Sequence, residues 1–389
     1  MRKTLVINAG SSSIKYKLFN MPEYEAVAEG MVDRIGLKVG EVNLKFNGDK
    51  FVKELEIPNH EVGIKQMLEL LEENKVIENY DEITKIGHRA VQGGEKITSS
   101  VLVGDEELAI IKEYANLAPL HNIPNAVGIE VFSKLMPNAQ NIAVFDTAFH
   151  QTMPEESYIY PVPYSWYKDH GVRRYGMHGT SHHYISDQIE ERYGKDYKLI
   201  NCHLGNGASL CAVDSGKVIQ TSMGLTPLAG IMMGTRSGDI DPSIIEYMSH
   251  ETGMTLTEIT SRLNKDSGML GLSGISSDFR DIGDAIKEGN PQAKLAMDVY
   301  VTRIVETIGS YYVRLGGLDA LVFTAGIGEN DLTVRKAVCE KLAVIGIKLD
   351  DNANETRGTE LISAADSKVP VLVIPTEEEY QIAKEAEKF

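Results

Sequence analysis

The sequence predicts an α/β protein of two domains in which one core plan is used twice. Three observations carry this. Strand-like apolar runs alternate with amphipathic helical stretches along the whole chain. The segment Thr4–Phe19 joins an apolar strand, through a Gly/Ser turn, to a second strand that alternates Ile14, Tyr16 and Leu18 with Lys15 and Lys17. The design returns at Leu199–Val213, where His203, Leu204, Gly205, Asn206 and Gly207 lead into and form the turn. A chain of 389 residues is long enough to bury two cores.

The elements follow in order. Strands near 24–30, 41–46 and 51–57 extend the first hairpin, and a helix then places Val62, Ile64, Met67, Leu68 and Leu71 on one face. A strand at 85–87 runs into the loop His88–Glu95. Helices at 106–115 and 124–136 are expected to be separated by a connection holding Pro119 and Pro124, and a strand at 141–145 ends in Asp146. Residues 147–177, rich in Pro and Tyr, read as an irregular crossover. The second copy opens with a helix at 181–193 and strands at 197–203, 209–213 and 217–221. A Gly-rich stretch, 223–241, precedes a helix that Pro242 would start. Thr255 and Glu258 form a capping box, and a long helix, 291–315, stops at Gly316 and Gly317. A strand at 319–324, a helix at 333–342 and a strand at 369–374 lead to a terminal helix, 377–388, with Thr376 and Glu379 in capping-box spacing. The expected domains are 1–147, with 377–389 packing back on it, and 148–376.

A net charge of -17 argues against a nucleic-acid groove or an anionic membrane surface as partner. Any anion site must be local, made from a few cations and backbone N–H groups. No apolar run suits a signal peptide or a membrane span, and three cysteines suggest reduced thiols in the cytoplasm. No Gly-x-x-x-x-Gly-Lys-Ser/Thr run is present, so the chain is not a P-loop enzyme.

Several residues can carry chemistry. A hairpin tip of small residues lets backbone N–H groups approach an anion; Ser11, Ser13 and Lys15 add donors and charge, and Asn8 offers an oxygen to Mg²⁺. Arg89 lies just past a strand end near Gly93 and Gly94. Arg236 lies in the Gly-rich Met232–Pro242 loop, where a guanidinium can grip carboxylate or phosphate bidentately. His178 sits between Gly176 and Gly179. With His182 and His183 it has near-metal spacing, but without an acidic partner, so those two read as structural. Asp146 suits either a metal or cation contact or a turn cap. Asp278, Phe279 and Arg280 read as a helix N-cap with an outward Arg, and Gly326, Ile327, Gly328, Glu329 and Asn330 as a tight turn after a strand.

Taken together and in this order, these motifs resemble those of the acetokinase family, within the acetate and sugar kinase, Hsp70 and actin superfamily. The likeness covers nearly the whole chain. It implies a duplicated RNase H-like, actin-type core of two domains with a central cleft. It also implies reversible Mg²⁺-dependent transfer of the ATP γ-phosphoryl group to acetate, giving acetyl phosphate and ADP, with Mn²⁺ an alternative metal, in a homodimer. By the same resemblance Arg89 holds substrate, Arg236 stabilises transition-state charge and His178 donates to the phosphoryl group. Val91, Leu120, Met177 and Pro227 wall the acyl pocket. Ser11, Ser13, Lys15, His203–Gly207, Asp278–Arg280 and Gly326–Asn330 bind nucleotide, and Asn8 and Glu378 hold the metal. The family assigns proton transfer to the residue matching Asp146; an already ionised acetate needs no base, so orienting Arg236 or a metal-bound water suits Asp146 better. Two positions depart from the family pattern: Gln92 replaces a histidine and Met177 an aromatic, which bears on acyl-chain choice. Propionate or butyrate kinase is the near alternative. A sugar kinase or a non-catalytic actin/Hsp70-type ATPase is the distant one.

Overall fold

Two sheets share one connectivity. The computed structural model describes residues 2–389, without the side chains of Pro119 and Leu120. It divides into unit 1, residues 1–149 with 377–389, and unit 2, residues 150–376.

Unit 1 contains β1 (Lys3–Ala9), β2 (Ser13–Asn20), β3 (Glu25–Asp33), β4 (Gly40–Phe46), β5 (Asp49–Leu55), β6 (Ile83–Ala90), β7 (Val101–Leu102) and β8 (Gln140–Phe145). Their spatial order is β5-β4-β3-β2-β1-β6-β8-β7. Unit 2 contains β9 (Lys198–Leu204), β10 (Ala208–Asp214), β11 (Lys217–Thr221), β12 (Ala320–Thr324) and β13 (Val371–Val373), ordered β11-β10-β9-β12-β13. In each, an antiparallel meander is followed by two strands parallel to its first, so β3-β2-β1-β6-β8 repeats as β11-β10-β9-β12-β13. This is the duplicated RNase H-like core.

Side chains alternate across a strand, and that alternation sorts unit 1 into two faces. Leu5, Ile7, Ile14, Tyr16 and Leu18 bury one face against Ile64, Met67 and Leu68 of the helix His60–Glu73 and Phe132 of the helix Pro119–Leu135. Val6, Ile142 and Val144 bury the other against Ile382, Ala383 and Ala386 of the terminal helix Glu378–Ala386. Ion pairs clamp that helix: Glu387 meets Arg2 Nη2 at 2.5 Å and Lys85 Nζ at 3.6 Å, and accepts from Thr4 Oγ1 at 2.7 Å.

The structure departs from the sequence reading at several points: residues 325–330, read as a tight turn, form the short helix Ala325–Asn330, and β6 runs on to Ala90, so Arg89 lies on the strand and not past its end. The helix Pro119–Leu135 begins at Pro119 and runs through Pro124, because Pro119 occupies the tolerated first turn. Asn122 and Asn125 also tie its start down, donating to Gln92 O at 2.8 Å and Ala9 O at 2.9 Å. The crossover region holds short helices, Glu155–Tyr158 and Tyr164–His170. Pro242 caps the helix Ser243–Thr252 rather than entering it. Thr376 does not form a capping box: its Oγ1 pairs with Ser181 Oγ at 2.8 Å, and Glu377 is the N-cap.

A Cβ at Gly87 of β6 would stand 2.7 Å from Ile382 Cγ2, a stiff branched methyl. Gly87→Val is therefore expected to pry the terminal helix from the sheet and cost about 1–3 kcal/mol. A urea denaturation midpoint equal to that of the parent would refute this packing.

Candidate active site

In unit 1 the alternation that places Val6 and Val144 under the terminal helix also places Asn8 and Asp146 on that side, and Gly87, beneath Ile382, fixes Arg89 there too. Arg89 and Asp146 form a two-point ion pair, Nε to Oδ1 at 3.2 Å and Nη2 to Oδ2 at 2.6 Å. Arg89 Nη1 also reaches Asn8 Oδ1 at 3.5 Å. Asp146 raises the Arg89 pKa further above its ordinary value, so this guanidinium is a permanent cation. Within unit 1 Asp146 pairs with Arg89, a contact the sequence reading did not anticipate: the β6–β8 register, Arg89 opposite Val144, brings the two strand ends together.

Asn8 pairs in register with Lys15 on β2, across a turn closed by Gly10 N donating to Ser13 O at 2.8 Å. Ser11 and Lys15 are exposed and Ser13 half-buried. Burial raises the Glu378 pKa; Asp146 and Glu379 add to the rise, and Arg89 and Lys15 oppose it. Asn8 and Glu378 carry hard oxygen donors, and a divalent cation held by them would favour the charged carboxylate of Glu378. The residues fit Mg²⁺ with phosphate oxygens and waters filling the rest of its shell.

In unit 2, the β9–β10 turn is drawn in by Gly205 N donating to Gly207 O at 3.1 Å, and is held from the side by Gly234 N donating to Asn206 O at 3.0 Å. Two side chains converge on it. A Cβ at Gly207 would lie 3.3 Å from Arg236 Nη1 and 3.5 Å from His178 Nε2. Arg236 donates to Pro227 O at 3.2 Å and has no carboxylate partner among the described residues, while burial lowers its pKa. A desolvated guanidinium left unneutralised is a site waiting for an anion. His178 holds the left-handed conformation, φ 62°, at the N-cap of the helix Gly179–Tyr193, and its ring stacks on His203 with centroids 4.2 Å apart.

A cavity of about 670 Å³ in unit 2 gathers most of the remaining candidates. Asn206, Asp278, Phe279, Arg280, Gly326, Ile327 and Asn330 line it, and its volume suits a nucleoside. Asp278 caps the helix Phe279–Lys287 by accepting from Arg280 N at 2.9 Å, and Arg280 folds back onto it. Gly328 and Glu329 are not on the wall: their carbonyls accept from Arg335 Nη1, and the Glu329 carboxylate accepts from Thr376 N at 3.3 Å. Arg357 does line the cavity, and no motif pointed to it.

Of the acyl-pocket candidates, Val91 and Met177 are buried, Pro227 touches Arg236, and the Leu120 side chain lies outside the described residues. Gln92 is fully buried and turns onto its own loop, Oε1 accepting from Gly94 N at 2.9 Å.

A duplicated core of this connectivity, with small-residue hairpin turns and a desolvated Arg236, is that of an actin-type phosphotransferase. The chain belongs to the acetokinase family, whose model matches residues 3–384. It is 50% identical over 389 residues, 99% of this chain and 98% of the relative, to the acetate kinase of Bacillus subtilis. The solved structure of Porphyromonas gingivalis acetate kinase is similar at 46% identity and a TM-score of 0.95, covering 100% of this chain and 99% of that one. A propionate kinase from Francisella tularensis matches at 41% identity and a TM-score of 0.94, covering 100% of both chains.

The three cysteines take no part: all are buried, and burial pushes the Cys339 thiol to about 12 and the thiols of Cys202 and Cys211 well above the ordinary value. An aromatic disulfide reagent is expected to titrate none of them in the native protein and all three in guanidinium. Rapid native labelling would contradict the burial.

Proposed function

We propose that this chain is an acetate kinase, transferring the ATP γ-phosphoryl group reversibly to acetate with Mg²⁺ and yielding acetyl phosphate and ADP. The observation that carries it is Arg236, a desolvated guanidinium without a carboxylate partner among the described residues, set beside His178 and the Gly205–Gly207 turn. Membership of the acetokinase family and full-length similarity to an acetate kinase support the choice of acid.

Acetate is ionised near neutral pH, so its oxygen attacks phosphorus without a general base. Asp146 then serves to orient Arg89, which takes the acetate carboxylate. As the new P–O bond forms in line with the departing ADP oxygen, negative charge on the equatorial oxygens meets Arg236 and the Nε2 of His178. Ser11, Ser13, Lys15 and the His203–Gly207 hairpin hold the polyphosphate, and the Asp278–Arg280 and Gly326–Asn330 segments hold the nucleoside. Asn8 and Glu378 would hold the Mg²⁺, which neutralises phosphate charge when bound. Val91, Leu120, Met177 and Pro227 form the acyl pocket. Buried Met177 is a flexible side chain, and one methylene in such a pocket is worth about 1–3 kcal/mol, so propionate is a slower second substrate. Exposed Tyr164, Trp166 and Tyr247 on unit 2 supply aromatic surface for a homodimer. No helix among the described residues is long and apolar enough to cross a membrane; the three free cysteines support a cytoplasmic location.

Hydroxylamine trapping with ATP and Mg²⁺ should give hydroxamate from acetate, less from propionate and least from butyrate. No hydroxamate from any of them would end this reading. Removing the Arg236 guanidinium (Arg236→Ala) should lower kcat by about 10²–10³-fold with a smaller change in KM. Chelation by EDTA should stop turnover, and added Mg²⁺ or Mn²⁺ should restore it; full activity in EDTA would remove the metal from the scheme.

A further inference from the structure

Unit 2 contains a row of hydrogen bonds that phosphoryl transfer does not by itself require. Asn201 on β9 donates from Nδ2 to His182 Nδ1 at 2.8 Å. His182 Nε2 meets Ser209 Oγ on β10 at 2.8 Å, and Ser209 Oγ meets His178 Nδ1 at 2.9 Å. Asn201, His182 and Ser209 are fully buried, so the row is closed to solvent and its ring and hydroxyl protons are directed along it. A neighbouring contact steadies the far ring: Ser181 Oγ bonds His203 Nδ1 at 2.8 Å, and His203 stacks on His178.

The order of the protons follows from the donors available. The Asn201 amide donates, so His182 Nδ1 must offer its lone pair. Burial, with His150 and His203 nearby, holds the His182 pKa well below its ordinary value, so the ring is neutral and its one proton is on Nε2. That proton goes to Ser209 Oγ, and the Ser209 proton is left for His178 Nδ1. His178 then carries its own proton on Nε2, the atom nearest the Gly207 turn.

We propose that Asn201, His182 and Ser209 are positioning residues that fix His178 as its Nε2–H tautomer, presenting a donor to the phosphoryl oxygens in transit. The inference rests on the assignment of His178 to the phosphoryl group made above. A lone pair at Nε2 would repel those oxygens. The row ends in an amide that donates; in Ser-His-Asp arrangements a carboxylate accepts and draws the imidazole proton inward. Here the protons are directed outward, toward His178.

The test uses ¹⁵N-histidine NMR of the full-length protein, with the His178 resonances identified by their loss in His178→Asn. The expected spectrum shows an unprotonated Nδ1 and a protonated Nε2 on His178. A protonated Nδ1 with a bare Nε2 in the parent protein overturns the proposal without any variant. Asn201→Asp replaces the donor with an acceptor and should reverse the row, moving the His178 proton to Nδ1. It should lower kcat about tenfold or more, with KM for ATP and acetate within about twofold. Ser209→Ala cuts the row, so Asn201→Asp should have no further effect on kcat in that background. Losses that multiply would mark a merely structural role and overturn the proposal. The tautomer is read without turnover, so it is separate from the hydroxamate assay, whose failure would instead remove the acetate kinase reading.

Discussion

A protein of net charge -17 that handles anions has to keep a few cations away from its own carboxylates, or place those carboxylates so that the cation is aimed rather than cancelled. The two arginines solve this differently. Arg89 is tied at two points by Asp146, which fixes the plane of the guanidinium and leaves Nη1 directed at Asn8. Among the described residues Arg236 is held by the carbonyl of Pro227 and a weak contact to Met233 Sδ at 3.6 Å, so no carboxylate cancels its charge. One gains orientation and the other gains field.

Both units use the same device to bring chemistry to a sheet. In unit 1 the terminal helix covers the face that holds Asn8, Arg89 and Asp146, and brings Glu378 within electrostatic range of the latter two. In unit 2 the helix Gly179–Tyr193 lies over Asn201, His203 and Ser209, and its first residues supply His178, Ser181 and His182. Strand alternation chooses the face and the helix start delivers the reactive group. The conformational strain of His178 at positive φ is confined to that junction, where Gly176 and Gly179 flank it.

Much of this was legible in the chain. The hairpins announce themselves by alternation and small-residue tips, and the helix Pro291–Leu315 by its proline start and its glycine stop in the left-handed region. The Thr255–Glu258 box also forms as spaced. What failed to read has physical causes. Proline signals a break, yet at Pro119 it is a start, and the anchoring amides of Asn122 and Asn125 reach partners far away in sequence. The Asp146–Arg89 pair did not read from the chain because strand register decides it, and register is a property of the sheet. Thr376 matched a box but found Ser181 first. His182 looked like a core histidine and is one, but its links to Ser209 and Asn201 depend on β9 and β10 lying side by side, with Ser209 opposite His203. Arg357 lies in a loop with no periodic signal, and only the folded cavity reveals it.

Residues 377–389 complete unit 1, although all of unit 2 comes before them in the chain. On the ribosome, the first 149 residues therefore emerge with one sheet face uncovered, showing Val6, Ile142 and Val144 to solvent while the next 227 are still being made. That unit cannot finish folding during its own synthesis, as an early domain ordinarily would. Glu378 arrives on the same late segment, so the two residues proposed above to hold Mg²⁺, Asn8 and Glu378, cannot meet until translation has passed the whole second core.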